Sequence, residues 1–399
     1  MPSSHVLVLN CGSSSLKFAI IDTVSGDELL SGLAERLGEL DPQIKYKFNG
    51  DKQLIALSPN DAHQTAIAKL VELVKQLQLD SSLIAVGHRV VHGGEHFTKS
   101  ALITPDVIEA ITKTSSLAPL HNPANLLGIE AAQSAFSHLP QIAVFDTAFH
   151  QSMSPEAFLY ALPYTLYKQH GIRRYGFHGT SHAFVSAEAI KTLNLNETNS
   201  KVISAHLGNG CSVTAIKSGK SVDTSMGMTP LEGLVMGTRS GDIDPGIFNY
   251  LTEQLNYSAK QIDTLLNKES GLLGISELSN DCRTIEESAA DGHQQAALAL
   301  DIFCYRLAKQ IAAFVVPLGG LDALIFTGGI GENSDVIRAK VVAHLSFLGL
   351  EIDNDKNLAA RFGSEGVITK QTAPCAIVVP TNEEWMIAND AANIAQEQK

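Results

Sequence analysis

The chain has 399 residues, with 29 basic and 42 acidic side chains and a formal net charge of −13 at pH 7. Hydrophobic residues make up 44% and charged residues 18%, so the chain can form a sizeable core, and its length predicts two or three domains. The acidic charge argues against nucleic acid or an anionic membrane surface as a partner, because both require basic patches. A small anionic substrate stays open, since a few local arginines outweigh a distant net charge.

Cysteine usage and the first residues predict a cytoplasmic protein. No CxxC pair occurs, and the odd number of widely spaced cysteines argues against a disulfide framework. Residues 1–5 lack the basic start and the long apolar stretch of a signal peptide. The cysteines are Cys11, Cys211, Cys282, Cys304 and Cys375.

Two similar β-hairpins predict a duplicated architecture. Residues 6–10 form a short apolar run typical of a buried strand, residues 11–15 a turn, and residues 16–21 a second strand. The same plan returns as a strand at 202–206, a turn at 207–211 and a strand at 212–217. The repeat predicts two related α/β domains, and chance recurrence of a common strand–glycine–strand pattern is the alternative.

Helical spacing of apolar residues predicts a helix over 61–78. Further helices are predicted over 122–135 from Asn122 and Pro123, over 294–316 from its apolar content, and over 382–396 from a Glu-rich first turn. Asn122 is expected to cap the second of these, because Pro123 suits a first helical position. The most apolar region, 296–326, is interrupted by Asp301, Arg306 and Lys309, so it predicts a buried helix followed by a strand and no membrane span.

Three glycine-rich turns, at 10–15, 206–210 and 328–333, favour binding of a nucleotide or phosphate. Glycine lets backbone N–H groups approach a phosphate, and a helix start, here expected at Ser334, adds positive potential. The P-loop pattern and the dinucleotide-binding pattern are both absent, which indicates a different phosphate-binding fold.

Polar segments at 88–94, 119–123, 142–150, 173–182 and 237–245 supply the side chains that phosphoryl transfer requires. Each candidate has an ordinary alternative: Arg239 as a surface arginine, Asp146 as a helix cap, and Glu383 as a residue that favours a helix N-terminus. His178 and His182 have a metal-ligand spacing, but no nearby carboxylate or cysteine completes a zinc site.

These segments together resemble the acetate kinase family. The resemblance rests on Asn-x-Gly-Ser-Ser-Ser-Leu-Lys at 10–17, Tyr-Gly-Phe-His-Gly-Thr-Ser-His at 175–182, Gly-Thr-Arg-Ser-Gly-Asp-Ile-Asp-Pro at 237–245 and Thr-Asn-Glu-Glu at 381–384. It extends over residues 6–394. It implies an α/β, duplicated two-domain, actin-like (ribonuclease H-like) ATPase fold with a cleft between the domains. The expected domains are residues 1–147, completed by a C-terminal helix at 384–399, and residues 148–383.

The resemblance implies reversible, Mg²⁺-dependent transfer of a phosphoryl group from ATP to acetate, which gives acetyl phosphate and ADP by direct in-line transfer. Arg89 and Arg239 would hold the carboxylate and the transferring group, and His178 would donate a hydrogen bond to it. Asp146 is the family's acid/base residue. We favour a positioning role for Asp146, because acetate is already ionised and has no proton to remove.

Further site residues follow from the same resemblance. Asn10 and Glu383 match the magnesium site, which Mn²⁺ would also fit, and Ser13, Ser15 and Lys17 would contact the outer phosphates. The nucleotide site and the wall around the substrate methyl group complete the set. The nucleotide residues are His206, Leu207, Gly208, Asn209, Gly210, Asp281, Cys282, Arg283, Gly329, Ile330, Gly331, Glu332 and Asn333, and the wall residues are Val91, Leu120, His121, Phe177 and Pro230.

Two alternatives stay open beside an acetate kinase. The first is a propionate kinase, which would use the same chemistry. It stays open because one methylene in an apolar pocket changes the preference between substrates by only about 10–200-fold. A non-catalytic ATP-dependent binding protein would bind ATP without phosphorylating a carboxylate. The resemblance also implies a homodimer with acetate and ATP as its small-molecule substrates.

Overall fold

The computed structural model describes residues 5–119, 121–370 and 373–398, which form two compact units. Unit 1 contains the described residues up to Gln151 together with those from Asn382 onward. Unit 2 is Ser152–Thr381. The chain therefore leaves unit 1 once and returns to it for its last helix.

The strands belong to two sheets. Sheet A of unit 1 contains β1 His5–Cys11, β2 Ser15–Asp22, β3 Glu28–Glu35, β4 Gln43–Phe48, β5 Asp51–Ala56, β6 Leu83–Val90, β7 Ala101–Leu102 and β8 Gln141–Phe145. Sheet B of unit 2 contains β9 Lys201–Leu207, β10 Cys211–Lys217, β11 Lys220–Thr224, β12 Ala323–Thr327, β13 Gly366–Val367 and β14 Cys375–Val378.

The α-helices lie between these strands and after them. They are α1 His63–Gln76, α2 Pro105–Lys113, α3 Asn122–Ala135, α4 Pro155–Phe158, α5 Tyr164–His170, α6 Gly179–Thr192, α7 Gly246–Leu255, α8 Ala259–Lys268, α9 Gly271–Ser276, α10 Cys282–Ala290, α11 Gln294–Leu318, α12 Gly328–Asn333, α13 Asp335–His344, α14 Asn354–Ala359 and α15 Glu383–Glu397.

Six strands follow the same order in both sheets. Sheet A runs β5-β4-β3-β2-β1-β6-β8-β7, and sheet B runs β11-β10-β9-β12-β14-β13. The first strand of each set pairs antiparallel with its hairpin partner and parallel with a later strand, as β1 does with β2 and β6, and β9 with β10 and β12. The two predicted hairpins are therefore the starts of two equivalent sheets, as a duplicated α/β architecture requires.

Both faces of sheet A are buried, because alternate side chains of its strands pack against different helices. Leu7 and Leu9 of β1 belong to a core cluster with α1 and α3, whereas Val6 and Val8 belong to a cluster with Ile387 and other residues of α15. Successive side chains of a strand point to opposite faces, so one apolar strand contacts both helical layers. The last helix of the chain thus completes the core of unit 1.

Two local predictions are wrong. Asn122 does not cap α3: the helix begins at this residue, and its buried amide binds the backbone of His92, with Nδ2 donating to the His92 oxygen at 2.9 Å. Residues 328–333 were expected to form a turn, but they form the short helix α12. Ser334 does cap the following helix, since its hydroxyl accepts the N–H of Ile337 at 3.0 Å.

The apolar region after residue 293 forms the buried helix and strand that the sequence predicts. Helix α11 runs for 25 residues, and the buried strand β12 follows it. In the described part of the chain, no helix combines the length and the apolar content that crossing a bilayer requires.

Candidate active site

Two adjacent parallel strands of unit 1 bring Arg89 and Asp146 together. Arg89 lies in β6, and Asp146 directly follows β8, which pairs with β6 in parallel. The guanidinium donates from Nε to Oδ1 of Asp146 at 3.0 Å and from Nη2 to Oδ2 at 2.7 Å. The carboxylate raises the pKa of Arg89 above its usual value, and burial raises the pKa of Asp146 while the guanidinium opposes that shift. Asp146 therefore orients an arginine and caps no helix.

A cavity of about 170 Å³ lies beside Arg89 in unit 1. Lys17 of β2 forms an ion pair with Glu384 at its edge. Glu383, in the first turn of α15, has no ion-pair partner among residues 5–119, 121–370 and 373–398. The cavity is lined by Val8, Asn10, Lys17, Phe18, Ala19, Arg89, Glu383, Glu384 and Ile387.

The oxygen atoms in this cavity fit a hard divalent cation. Asn10 offers an amide oxygen, and Glu383 offers a carboxylate that forms no salt bridge with a described residue, although its charge acts on Arg89. Mg²⁺ is usually held by one or two protein oxygens, with waters and substrate phosphates as its other ligands. Within the described ranges, no group of three or more His, Cys, Asp or Glu residues forms a metal cage. The donor set therefore suits a metal that arrives with the nucleotide phosphates.

The turn after β1 is held in place by α3 and α1. Within the turn, the N–H of Gly12 donates to the Ser15 oxygen at 2.8 Å. Asn125 of α3 donates to the Cys11 oxygen at 2.8 Å, and the ring of His63 binds the Gly12 oxygen at 2.8 Å. Ser13 is exposed and Ser15 half-buried, and neither lines the cavity.

The predicted substrate wall of unit 1 rests on α3. The N–H of Val91 donates to Oδ1 of Asn125 at 3.1 Å, and Val91 itself is buried. His121 immediately precedes α3 and lies close enough to lower the pKa of Asp146. Leu120, the third predicted wall residue of this unit, lies outside the described residues.

Unit 2 brings Arg239 and His178 together at Gly210. A Cβ added to Gly210 would lie 3.5 Å from Nη1 of Arg239 and 3.6 Å from Cε1 of His178. Nη1 of Arg239 donates to the Pro230 oxygen at 2.8 Å, and burial lowers the pKa of this guanidinium. No described carboxylate forms an ion pair with Arg239, in contrast to Arg89. The guanidinium of Arg239 can therefore donate charged hydrogen bonds to a bound anion.

His178 occupies an unusual backbone position. Its φ of 56° is left-handed, and it directly precedes α6. Such conformations in non-glycine residues cost free energy and cluster at functional sites. Its Nδ1 bonds with Oγ of Ser212 at 2.8 Å, and its ring stacks on His206 with centroids 4.3 Å apart.

The loop at 206–210 contacts the segment that starts at residue 280. Nδ2 of Asn280 donates to the side-chain Oδ1 of Asn209 at 3.1 Å. The backbone oxygen of Asn209 accepts the N–H of Gly237 at 3.0 Å. Asp281 caps α10 by accepting the N–H of Arg283 at 2.9 Å and also binds the Arg283 side chain. Cys282 is buried. Two predicted nucleotide-site segments, 206–210 and 281–283, therefore come together here, although the carboxylate of Asp281 already binds Arg283.

Helix α12 carries the third predicted nucleotide segment. The carboxylate of Glu332 accepts the N–H groups of Gly328 at 2.9 Å and of Thr381 at 3.0 Å. It therefore connects the segments that follow β12 and β14. Arg338, fully buried, donates to the oxygens of Gly331 at 2.8 Å and Glu332 at 2.9 Å. The side chain of Glu332 and the backbone oxygens of Gly331 and Glu332 thus take part in structural hydrogen bonds.

The remaining predicted wall residues, Phe177 and Pro230, lie on connected loops. The N–H groups of Tyr175 and Gly176 donate to the Gly227 oxygen at 3.0 and 3.2 Å, so the buried Phe177 and the loop of Pro230 hold each other in place.

Sequence reasoning missed the residues that support the site. Asn125, Ser212 and Arg338 do not stand out locally, since each acts by reaching another segment of the chain. A polar residue within an apolar helix face or strand, such as Ser212 between Cys211 and Val213, is the one signal that the sequence offered.

Comparison with known proteins connects this geometry with a family. Residues 5–389 match the model of the Acetokinase family. An acetate kinase of Shewanella amazonensis is 60% identical over 396 residues, which cover 99% of both chains. Another, of Shewanella sp. (strain MR-4), is 61% identical over 398 residues and 99% of both chains.

Solved structures agree over nearly the whole chain. A crystal structure of a propionate kinase from Francisella tularensis is 47% identical with a TM-score of 0.93, and covers 98% of this chain and 99% of its own. Porphyromonas gingivalis acetate kinase is 45% identical with a TM-score of 0.93 and the same coverage. These matches confirm the predicted duplicated, actin-like α/β fold. The chain belongs to the acetokinase family.

Proposed function

We propose that this chain is an acetate kinase, which transfers the γ-phosphoryl group of ATP reversibly and in line to acetate and releases acetyl phosphate and ADP. The observation that carries the proposal is the guanidinium of Arg239, which lies beside His178 and has no carboxylate partner among the residues that the structure describes. In-line phosphoryl transfer spreads negative charge over equatorial oxygens, and a planar, always charged donor group stabilises that charge.

Arg89 binds the acetate carboxylate in this proposal. Its Nε and Nη2 are occupied by Asp146, so the plane of the guanidinium is set before substrate arrives. Asp146 positions Arg89 and removes no proton, because acetate is ionised at neutral pH. The family resemblance assigns contact with the methyl group to Val91, Leu120, His121, Phe177 and Pro230.

His178 donates a hydrogen bond to the transferring phosphoryl group, and Arg239 binds its oxygens. The proximity of both side chains to Gly210 supports a shared target. Residues 1–147 with 384–399 and residues 148–383 are the two domains of this proposal.

ATP is bound by backbone groups and by a few side chains. Ser13, Ser15 and Lys17 contact the outer phosphates, and the segments at 206–210, 281–283 and 329–333 bind the rest of the nucleotide. The hydrogen bond between Asn280 and Asn209 and the support of α12 by Arg338 are consistent with this assignment.

Mg²⁺, or Mn²⁺, would be held by Asn10 and Glu383. When bound, the metal neutralises phosphate charge during transfer. Glu383 offers the carboxylate of the unit 1 cavity that has no described ion-pair partner, which is the feature that supports this role.

We also propose a cytoplasmic homodimer. All five cysteines are free and buried thiols, as expected in a reducing compartment. Ile247, Phe248, Tyr250 and Leu255 of α7 are exposed, and an exposed apolar patch of this kind marks an interaction surface.

The choice between acetate and propionate is tested by trapping acyl phosphate with hydroxylamine. Acetate, propionate and butyrate are compared side by side as acceptors with ATP. We expect kcat/KM for acetate to exceed that for propionate by about 10-fold or more. A higher kcat/KM for propionate would identify a propionate kinase, the activity named for the F. tularensis structure. ATP binding without any acyl hydroxamate would instead indicate a non-catalytic binding protein.

A further inference from the structure

We propose that Ser212, with His182 behind it, is a positioning residue that places the proton of His178 on Nε2, the ring nitrogen that then donates to the transferring phosphoryl group. This inference rests on the proposed function, because it concerns the donor role of His178. It adds a buried chain of hydrogen bonds behind that residue.

The strand register places this chain on one face of sheet B. Ser212 of β10 is opposite His206 of β9, and Thr214 is opposite Ser204. Directly opposed residues of an antiparallel pair point to the same face, as do residues two apart on one strand. Ser204 and Ser212 therefore both face α6, the helix that begins after His178 and carries His182.

Three hydrogen bonds connect the side chains in sequence. Oγ of Ser212 lies 2.8 Å from Nδ1 of His178 and 2.7 Å from Nε2 of His182. Nδ1 of His182 lies 3.0 Å from Oγ of Ser204. Ser204, Ser212 and His182 have no exposed surface, so bulk water does not compete for these bonds.

A positive charge lies close to the ring of His178. The guanidinium of Arg239 and Cε1 of His178 lie within 3.6 Å of the same Cβ position on Gly210, and a second histidine ring stacks on His178. A nearby positive charge disfavours a second one. A neutral imidazole has a single N–H, so His178 can donate to a phosphoryl oxygen from Nε2 only if Nδ1 is an acceptor.

Counting protons then assigns the donor and the acceptor of each hydrogen bond in this series of side chains. Ser212 has one hydroxyl proton, which it must donate to Nδ1 of His178. Its oxygen must then accept the proton of His182 on Nε2. Nδ1 of His182 is left as an acceptor for the hydroxyl of Ser204. A single pattern of donors thus extends from Ser204 to the reacting phosphoryl group.

The direct test is NMR of the wild-type protein labelled with ¹⁵N in histidine, with the His178 signal assigned by its loss in His178→Gln. We expect His178 to carry its proton on Nε2 and an unprotonated Nδ1 at neutral pH, and His182 to show the same pattern. A proton on Nδ1 of His178, or protonation of both nitrogens, would overturn the proposal.

Two variants test the consequence for catalysis. Ser212→Ala removes the hydroxyl and should lower kcat by about 10- to 100-fold with KM for ATP and acetate nearly unchanged, since a wrong histidine tautomer slows chemistry more than binding. Ser212→Thr keeps the hydroxyl and should restore most of the loss. A wild-type kcat in Ser212→Ala would contradict the proposal. Absence of acyl phosphate formation by the wild type would refute the proposed function, whereas the NMR measurement needs no turnover and still decides the proton pattern.

Discussion

At the residue scale, the two proposed catalytic arginines differ in their partners. Arg89 is held by the buried Asp146, whereas Arg239 donates to the backbone oxygen of Pro230 and faces no described carboxylate. The first environment suits orientation of a substrate, and the second suits charge that appears during the reaction.

Arg239→Ala is expected to lower kcat by about 10³-fold or more, because an arginine that stabilises transition-state charge contributes on this scale. The measurement is steady-state formation of acyl hydroxamate. Arg306→Ala, which removes an exposed arginine of α11, serves as a comparison of side-chain loss. A kcat of Arg239→Ala close to the wild-type value would exclude its proposed role.

Glu383→Ala is expected to raise the Mg²⁺ concentration required for half-maximal activity, because it removes the carboxylate of the unit 1 cavity that forms no salt bridge with a described residue. The measurement is activity against free Mg²⁺ at a fixed ATP concentration. Glu397→Ala, at the other end of α15, should keep the wild-type dependence. An unchanged requirement in Glu383→Ala would remove this residue from the metal site.

We expect the protein to lose stability in mild acid because His88 is buried. Burial lowers the pKa of His88 to about 4, with a hydrogen bond to Gln141 acting in the opposite direction. Below about pH 6.5, His88 is protonated in the unfolded chain but stays neutral in the folded chain. The free energy of unfolding therefore falls with decreasing pH and levels off near pH 4. The shift corresponds to about 3 kcal/mol.

Urea unfolding between pH 7 and pH 4.5 measures this contribution. His88→Gln should lose less stability over that interval than the wild type, and the exposed His138→Gln should behave like the wild type. Equal losses in His88→Gln and the wild type would show that His88 titrates normally.

At the scale of single elements, α3 links two parts of the proposed site. The amide of Asn125 binds the backbone of both Cys11 and Val91, one in the turn after β1 and the other in the substrate wall. Asn125→Ala leaves two buried backbone groups without a partner, at a cost of about 1–3 kcal/mol for each.

We therefore expect Asn125→Ala to lower the free energy of unfolding and to raise KM for both ATP and acetate. Thermal unfolding and steady-state kinetics measure the two effects. Glu130→Ala, on the exposed side of the same helix, should change neither. A change in only one of the two KM values would show that α3 does not couple the two regions.

Local patterns predicted the elements well where local physics decides them. The apolar runs of β1 and β9 and the glycine turns that follow them mark two hairpins, and Asn382 caps α15, where the sequence placed a helix start. The prediction failed at Asn122 and at 328–333. In the first case tertiary hydrogen bonds to His92 outweigh a capping preference, and in the second Glu332 and Arg338 stabilise a helix in a glycine-rich segment.

The candidate site shows the same limit. Motifs identified Arg89, Asp146, His178 and Arg239 individually, but the bidentate pair in unit 1 and the contacts at Gly210 in unit 2 arise from strand pairing and loop packing. Ser212 carries no motif of its own, and its proposed role became visible only through the register of β9 and β10.

At the scale of the whole molecule, the net charge of −13 coexists with local positive charge. Arg89 and Arg239 are partly buried, and Lys17 lines the unit 1 cavity, so these cations act at short range. Charges beyond about 8–10 Å are screened at cellular salt. An acidic chain is therefore compatible with ATP and acetate as substrates.

The proposed homodimer is tested through the exposed apolar residues of α7. Phe248→Asp should convert the dimer to a monomer in sedimentation velocity, because a charge in an apolar interface is costly. Phe362→Asp, at an exposed phenylalanine outside α7, should leave the dimer intact. A dimer in both variants would place the interface elsewhere, and a monomeric wild type would refute the proposed state.

The most direct test of carboxylate phosphorylation is a ³¹P NMR time course of ATP with acetate and Mg²⁺ in the presence of the wild-type protein. We expect acetyl phosphate and ADP to appear in equal amounts, without a matching rise of inorganic phosphate. Conversion of ATP to ADP and inorganic phosphate alone, or no consumption of ATP, would contradict the proposed acetate kinase activity.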